Sequence, residues 1–151
     1  MDASTTAGST NCILAPLSAW FLAQGIKMMR QFLRERRLDF RVLLSTGGMP
    51  SAHTAMVCAL LTSVGLTVGY RDPLFAVTLA FAAVVMFDAQ SVRRAAGQQA
   101  RLLNQIIDEL FREHHLSESK LAELLGHTRM EVFVGMVTGV FVGLLWSRLR
   151  P

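Results

Sequence analysis

Two histidines, a carboxylate and a few basic side chains are the residues of this 151-residue chain best suited to chemistry. The stretch "TGGMPSAH" sets Ser51 two residues before His53, directly after Gly47, Gly48 and Pro50. Adjacent glycines let a backbone turn its amide N–H groups toward an anion. Pro50 can occupy the first turn of a following helix, whose N-terminus favours negative charge, so Ser51 and the amides around Gly48 can cradle a phosphate oxygen. His53 carries an imidazole suited to proton transfer near neutral pH. The same residues also make an ordinary glycine-rich turn and helix start, and that reading stays open.

A second pair lies in "GHTRMEV", where His127 precedes Glu131 by four residues. On a helix these two share a face, so Glu131 can accept a hydrogen bond from one ring nitrogen and leave the other as a nucleophile. Such pairs also occur as surface decoration. Phosphoryl transfer needs cations around the equatorial oxygens, and arginine offers paired donors for them. Lys27 and Arg41 bracket a first basic stretch, and Arg93 and Arg94 follow a long apolar segment. Arg30, Arg34, Arg36 and Arg37 read as anchors at a membrane surface.

The elements that would position these groups are apolar. Only 17% of the residues are charged and 52% are hydrophobic, against about a quarter charged in a typical soluble domain. Four stretches contain no Asp, Glu, Lys or Arg: Asn11 to Ile26, Thr54 to Tyr70, Pro73 to Phe87 and Val132 to Ser147. Each falls a little short of the roughly 20 residues of a full span and needs its flanks to cross. The expected fold is therefore all-α: a small helical transmembrane bundle of about four spans, forming a single domain over residues 1–151. A soluble bundle of four buried helices is the alternative.

Loop charge sets an orientation. Lys27, Arg30, Arg34, Arg36, Arg37 and Arg41 crowd the connection after the first segment, whereas only Arg71 and Asp72 join the second to the third. The positive-inside rule puts the basic connection in the cytoplasm, together with the link from Asp88 to Glu131. Arg148 and Arg150 then end outside, against the rule. Within the long link, Leu102, Leu103, Ile106, Ile107, Leu110 and Phe111 form one apolar stripe of an amphipathic helix. A second short helix is expected from Ser117 to Gly126. The polar clusters around Lys27, Gly48, Arg94 and His127 thus fall on one side of the membrane, as a single site requires.

Other classes recede on composition. Cys12 and Cys58 lie in apolar surroundings without metal or disulfide spacing and read as packing residues. The net charge of +4 suits an anionic lipid surface or a phosphorylated substrate. It points away from nucleic acid, because the basic residues flank apolar segments. The Ser/Thr-rich start faintly suggests an organelle transit peptide but contains no Arg.

Taken together, "TGGMPSAHTAMVCAL", "FDAQSVRRAAGQQARLLN" and "ELLGHTRMEVFVG" resemble the small divergent membrane branch of the type 2 phosphatidic acid phosphatase superfamily, whose relatives include acid phosphatases and vanadium-dependent haloperoxidases. The resemblance runs from about Gln24 to Gly139. It implies that His127 attacks phosphorus, with Glu131 orienting it where the superfamily usually has Asp, and that His53 protonates the leaving alcohol. Lys27, Arg41, Gly48, Ser51 and Arg94 would hold the phosphate, with no metal or other cofactor. The substrate implied is a lipid phosphate met at the cytoplasmic (or stromal) face. Other readings are a non-catalytic protein binding anionic lipid or phosphate, and a vanadate-dependent haloperoxidase. So thin a bundle also leaves room for a homodimer.

Overall fold

The computed structural model describes residues 3–36, 48–110 and 127–149 and, within them, the side chains of all but residues 3–7, 92–94 and 109–110. Every regular element described is helical: α1 (Ala3–Glu35), α2 (Ala52–Val68), α3 (Pro73–Phe87), a π-turn (Asp88–Val92), α4 (Arg93–Leu110) and α5 (Arg129–Leu149). The chain is an all-α membrane bundle. Three helical stretches are long and apolar enough to cross a bilayer, within Gly8–Glu35, Pro73–Asp108 and Arg129–Leu149, while α2 is a shorter apolar helix.

The bounds follow from local chemistry. Residues 27–35 contain no Gly, Pro or β-branched side chain, so nothing stops the first helix at the end of its apolar stretch. The basic stretch expected as a connection is in its first half helix, and Lys27, Arg30 and Arg34 stand on the last turns of α1. That helix closes where Arg36 takes a left-handed φ of 55°. Ser51 caps α2, and Gly69, at φ 94°, ends it with its N–H on the Gly65 carbonyl. Asp72 then caps α3 by accepting the Leu74 N–H at 2.8 Å, with Pro73 at the first helical position. The amphipathic α4 begins at Arg93, earlier than its apolar stripe. The short helix expected over 117–126 lies outside the described residues.

The shortest apolar helix is the central one, since α2 packs against α1, α3 and α5, and α1 and α5 also meet. Hydrocarbon offers no hydrophobic drive between helices, so they associate through close van der Waals contact between small residues. Ala15, Ala19 and Ala23 of α1 and Ala52, Ala55 and Ala59 of α2 form one buried cluster. On α5 every fourth residue is glycine: a Cβ on Gly135 would stand 2.6 Å from the Ser51 carbonyl oxygen and one on Gly143 2.7 Å from Thr62 Cβ, while one on Gly139 would strike the Ala55 carbonyl. Trp146 Nε1 donates to Ser18 Oγ at 3.1 Å and ties α5 to α1. Outside this small-residue interior, Phe21, Val77, Phe81, Val84, Phe133 and Phe141 are each more than half exposed, as an outer surface solvated by lipid requires.

Candidate active site

The C-terminal turns of α1, the turn before α2, the π-turn after α3 and the first turn of α5 all lie at one end of the bundle. Four contacts fix this. The Ser51 N–H donates to the Glu131 carbonyl at 3.0 Å, the His127 N–H to the Ala89 carbonyl at 3.1 Å, and Arg30 Nη1 to the Met49 carbonyl at 3.1 Å. The fourth is glycine-mediated: Gly48 has a φ of 89° and a Cβ there would sit 3.9 Å from Lys27 Cδ. Only a residue free of a side chain adopts that backbone cheaply while lying over the lysine stem.

Between these elements is a cavity of about 760 Å³ lined by Lys27, Arg30, Gln31, Leu33, Arg34, Glu35, Gly48, Met49, Thr128 and Glu131. Lys27 is 6% exposed, and the Glu131 charge acts on it. Such a buried cation on a membrane helix normally serves a partner or a ligand. Arg30 and Arg34, expected only to anchor the chain, line this cavity with it. The signal that could have placed them was the spacing of Lys27, Arg30 and Arg34 at i, i+3 and i+7, one face of a continuous helix.

At the start of α5, Thr128 and Glu131 form a capping box. The Glu131 N–H donates to Thr128 Oγ1 at 3.3 Å, and Glu131 Oε2 accepts the Thr128 N–H at 2.9 Å. The same oxygen lies 3.2 Å from His127 Nδ1. An ionised carboxylate only accepts, so Nδ1 carries the proton and the ring's lone pair falls on Nε2. The imidazole itself is 1% exposed, behind Glu131. "Thr-x-x-Glu" was in the sequence as a helix-start signature and explains why a glutamate, long enough to reach back to the N-cap, stands at this position.

The other expected ligands are placed as follows. Ser51 is fully buried and does not line the cavity. Its Oγ accepts both the Thr54 N–H at 3.4 Å and the Thr54 hydroxyl at 3.0 Å, so its hydroxyl caps α2 and its amide holds α5. Pro50 precedes that cap rather than opening the helix. His53, in the first turn of α2, is exposed and stands outside the cavity lining. Gly47, Arg41 and the side chains of Arg93 and Arg94 lie outside the described residues. The described residues hold no group of three His, Cys, Asp or Glu arranged for a metal.

Chemically, a lysine and two arginines beside a glycine turn make a receptor for an anion, with Glu131 at its wall and the His127 imidazole bound behind that carboxylate. Residues 9–142 match the family model described as "Divergent PAP2 family". Over 144 residues the chain is 42% identical to a protein of Bacillus subtilis (strain 168) named "Uncharacterized membrane protein YuiD", covering 88% of this chain and 91% of that one. No solved structure matches the chain significantly.

Proposed function

The chain belongs to the divergent PAP2 family, and from that premise we propose that it is a metal-independent membrane phosphatase hydrolysing a lipid phosphate monoester through a phosphohistidine. The observation that carries this reading is the opening of Lys27, Gly48 and Glu131 onto one cavity, with His127 hydrogen-bonded to that same Glu131. Lys27, Arg30 and Arg34 neutralise the phosphate oxygens. His127 Nε2 forms the P–N bond as the P–O bond to the alcohol breaks, and Glu131 stabilises the cation that forms on the ring. His53 gives its proton to the departing alkoxide. A water then attacks phosphorus, passes its proton back to His53, and the P–N electron pair returns to His127 as phosphate leaves. For this sequence the His127 ring must be uncovered toward the cavity and His53 must reach the ester from outside it.

That requirement gives weight to a second reading. A ring so fully enclosed favours a protein that binds an anionic lipid headgroup and turns nothing over. A phosphate-release screen separates the two. Detergent-solubilised protein is offered phosphatidic acid, phosphatidylglycerol phosphate and an isoprenoid phosphate, beside the His127→Ala variant. Release that is lost in the variant supports the phosphatase; headgroup affinity without release supports the binding protein.

A further inference from the structure

The π-turn between α3 and α4 has no role in the chemistry above, yet it makes the contact that fixes where His127 begins. An α-helix bonds each carbonyl to the N–H four residues on; widening one turn to the i→i+5 pattern breaks that ladder and lets a main-chain carbonyl face a donor elsewhere. Here the widened turn is Asp88–Val92. The Ala89 carbonyl within it accepts the His127 N–H at 3.1 Å, from a residue 38 positions along the chain. Ala89 is 4% exposed and His127 2% exposed, so this bond is shielded from water and competes with none.

His127 is therefore held from two directions. Glu131 orients its ring from within α5, and Ala89 holds its backbone from the end of α3. The α5 capping box cannot do the second task, because its bonds start at Thr128 and close within its own turn. We infer that the π-turn Asp88–Val92 is a positioning element, a one-turn widening whose purpose is to present the Ala89 carbonyl to His127 and so set the distance between the imidazole and an anion bound at Lys27. This rests on the nucleophilic role proposed for His127. It explains why a helix that could run straight from α3 into α4 is widened at the end of the bundle where the cavity lies.

The test removes the widening and keeps the helices. Deleting Ser91 lets the turn wind as α-helix and withdraws the carbonyl; a second variant adds an alanine after Gln98, which restores the outward face of the rest of α4 but not the π-turn. A displacement of about 1 Å at a nucleophile costs about 100-fold in rate. Both variants are expected to lose about 100-fold in kcat for lipid phosphate release while KM stays within about twofold, since Lys27, Arg30 and Gly48 are untouched. The His127 amide is expected to exchange with deuterium at least tenfold faster in both. A kcat that is unchanged, or one restored by the alanine insertion, overturns the inference. So does a KM that rises in step with the fall in kcat. Should the unmutated protein release no phosphate at all, the phosphatase reading falls, and the exchange rate alone judges the clamp: unchanged protection in the Ser91 deletion refutes it.

Discussion

Glu131 reaches His127 with the same oxygen that caps its own helix: Oε2 lies 3.2 Å from His127 Nδ1 and 2.9 Å from the Thr128 amide nitrogen. Folding the start of α5 and orienting the imidazole are thus one event. Glu131→Gln keeps a residue that can complete a capping box but removes the anionic acceptor from the ring. It is expected to cut phosphate release by about 10- to 100-fold, the range for losing a charge-assisted bond, with little change in thermal unfolding in detergent. Glu131→Ala loses the cap as well and is expected to unfold more easily by about 1 kcal/mol.

The Ser51 hydroxyl caps α2 while His53 stands in the exposed first turn, so the two should separate in experiment. Ser51→Ala is expected to cost about 1 kcal/mol of stability and to leave phosphate affinity unchanged. His53→Ala is expected to leave stability unchanged and to reduce release about 100-fold or more, as loss of a general acid does. Calorimetry and steady-state kinetics on the two variants check both halves.

Arg30 joins the turn at Met49 to α1 through Nη1 and leaves its remaining donors at the cavity. Lysine keeps the charge there without the planar fork. Arg30→Lys is expected to raise KM by about tenfold, and Lys27→Met by about 10- to 100-fold, with inorganic phosphate inhibition weakened in parallel. Equal KM values in all three proteins would show that this cavity is not where phosphate binds.

Close approach of α2 and α5 depends on the absent side chains at Gly135 and Gly139. Alanine at Gly135 meets the carbonyl oxygen of Ser51, the cap of α2, and at Gly139 that of Ala55 within α2, whereas a Cβ at Gly25 meets nothing within 4 Å. Gly139→Ala is expected to destabilise the bundle by about 1–3 kcal/mol, the usual cost of overpacking. Gly25→Ala should be neutral or slightly stabilising. Unfolding midpoints in one detergent provide the comparison.

Much of this bundle was legible in its residues. The uncharged run from Pro73 to Phe87 coincides with α3 because Asp72 and Pro73 start it and the run ends at Asp88. The apolar segments of α1 and α5 were equally clear, but not their lengths, since charged good helix formers continue a helix without leaving an apolar signal. Arg30 and Arg34 therefore resemble membrane-surface anchors in sequence, whereas in the fold they line the cavity. The pairing of His127 with Glu131 is visible as a four-residue spacing, and the capping box overlaid on it is written in the spacing of Thr128 and Glu131. Ser51 shows the opposite limit. A serine after Gly-Gly-Met-Pro fits a phosphate cradle and a helix cap equally well, and only its burial against Thr54 and α5 distinguishes them. The Ala89 carbonyl leaves no trace in residue type at all, because a main-chain acceptor is created by backbone geometry.

The most direct test of the proposed chemistry is to trap the covalent intermediate. Solubilised protein is mixed with a lipid phosphate carrying labelled phosphorus, quenched in alkali within milliseconds, and digested. Label on the peptide containing His127, stable to alkali, lost in acid and absent from His127→Ala, is the predicted result. Phosphate release at full rate from the His127→Ala protein, or turnover with label on no residue of the chain, would contradict it.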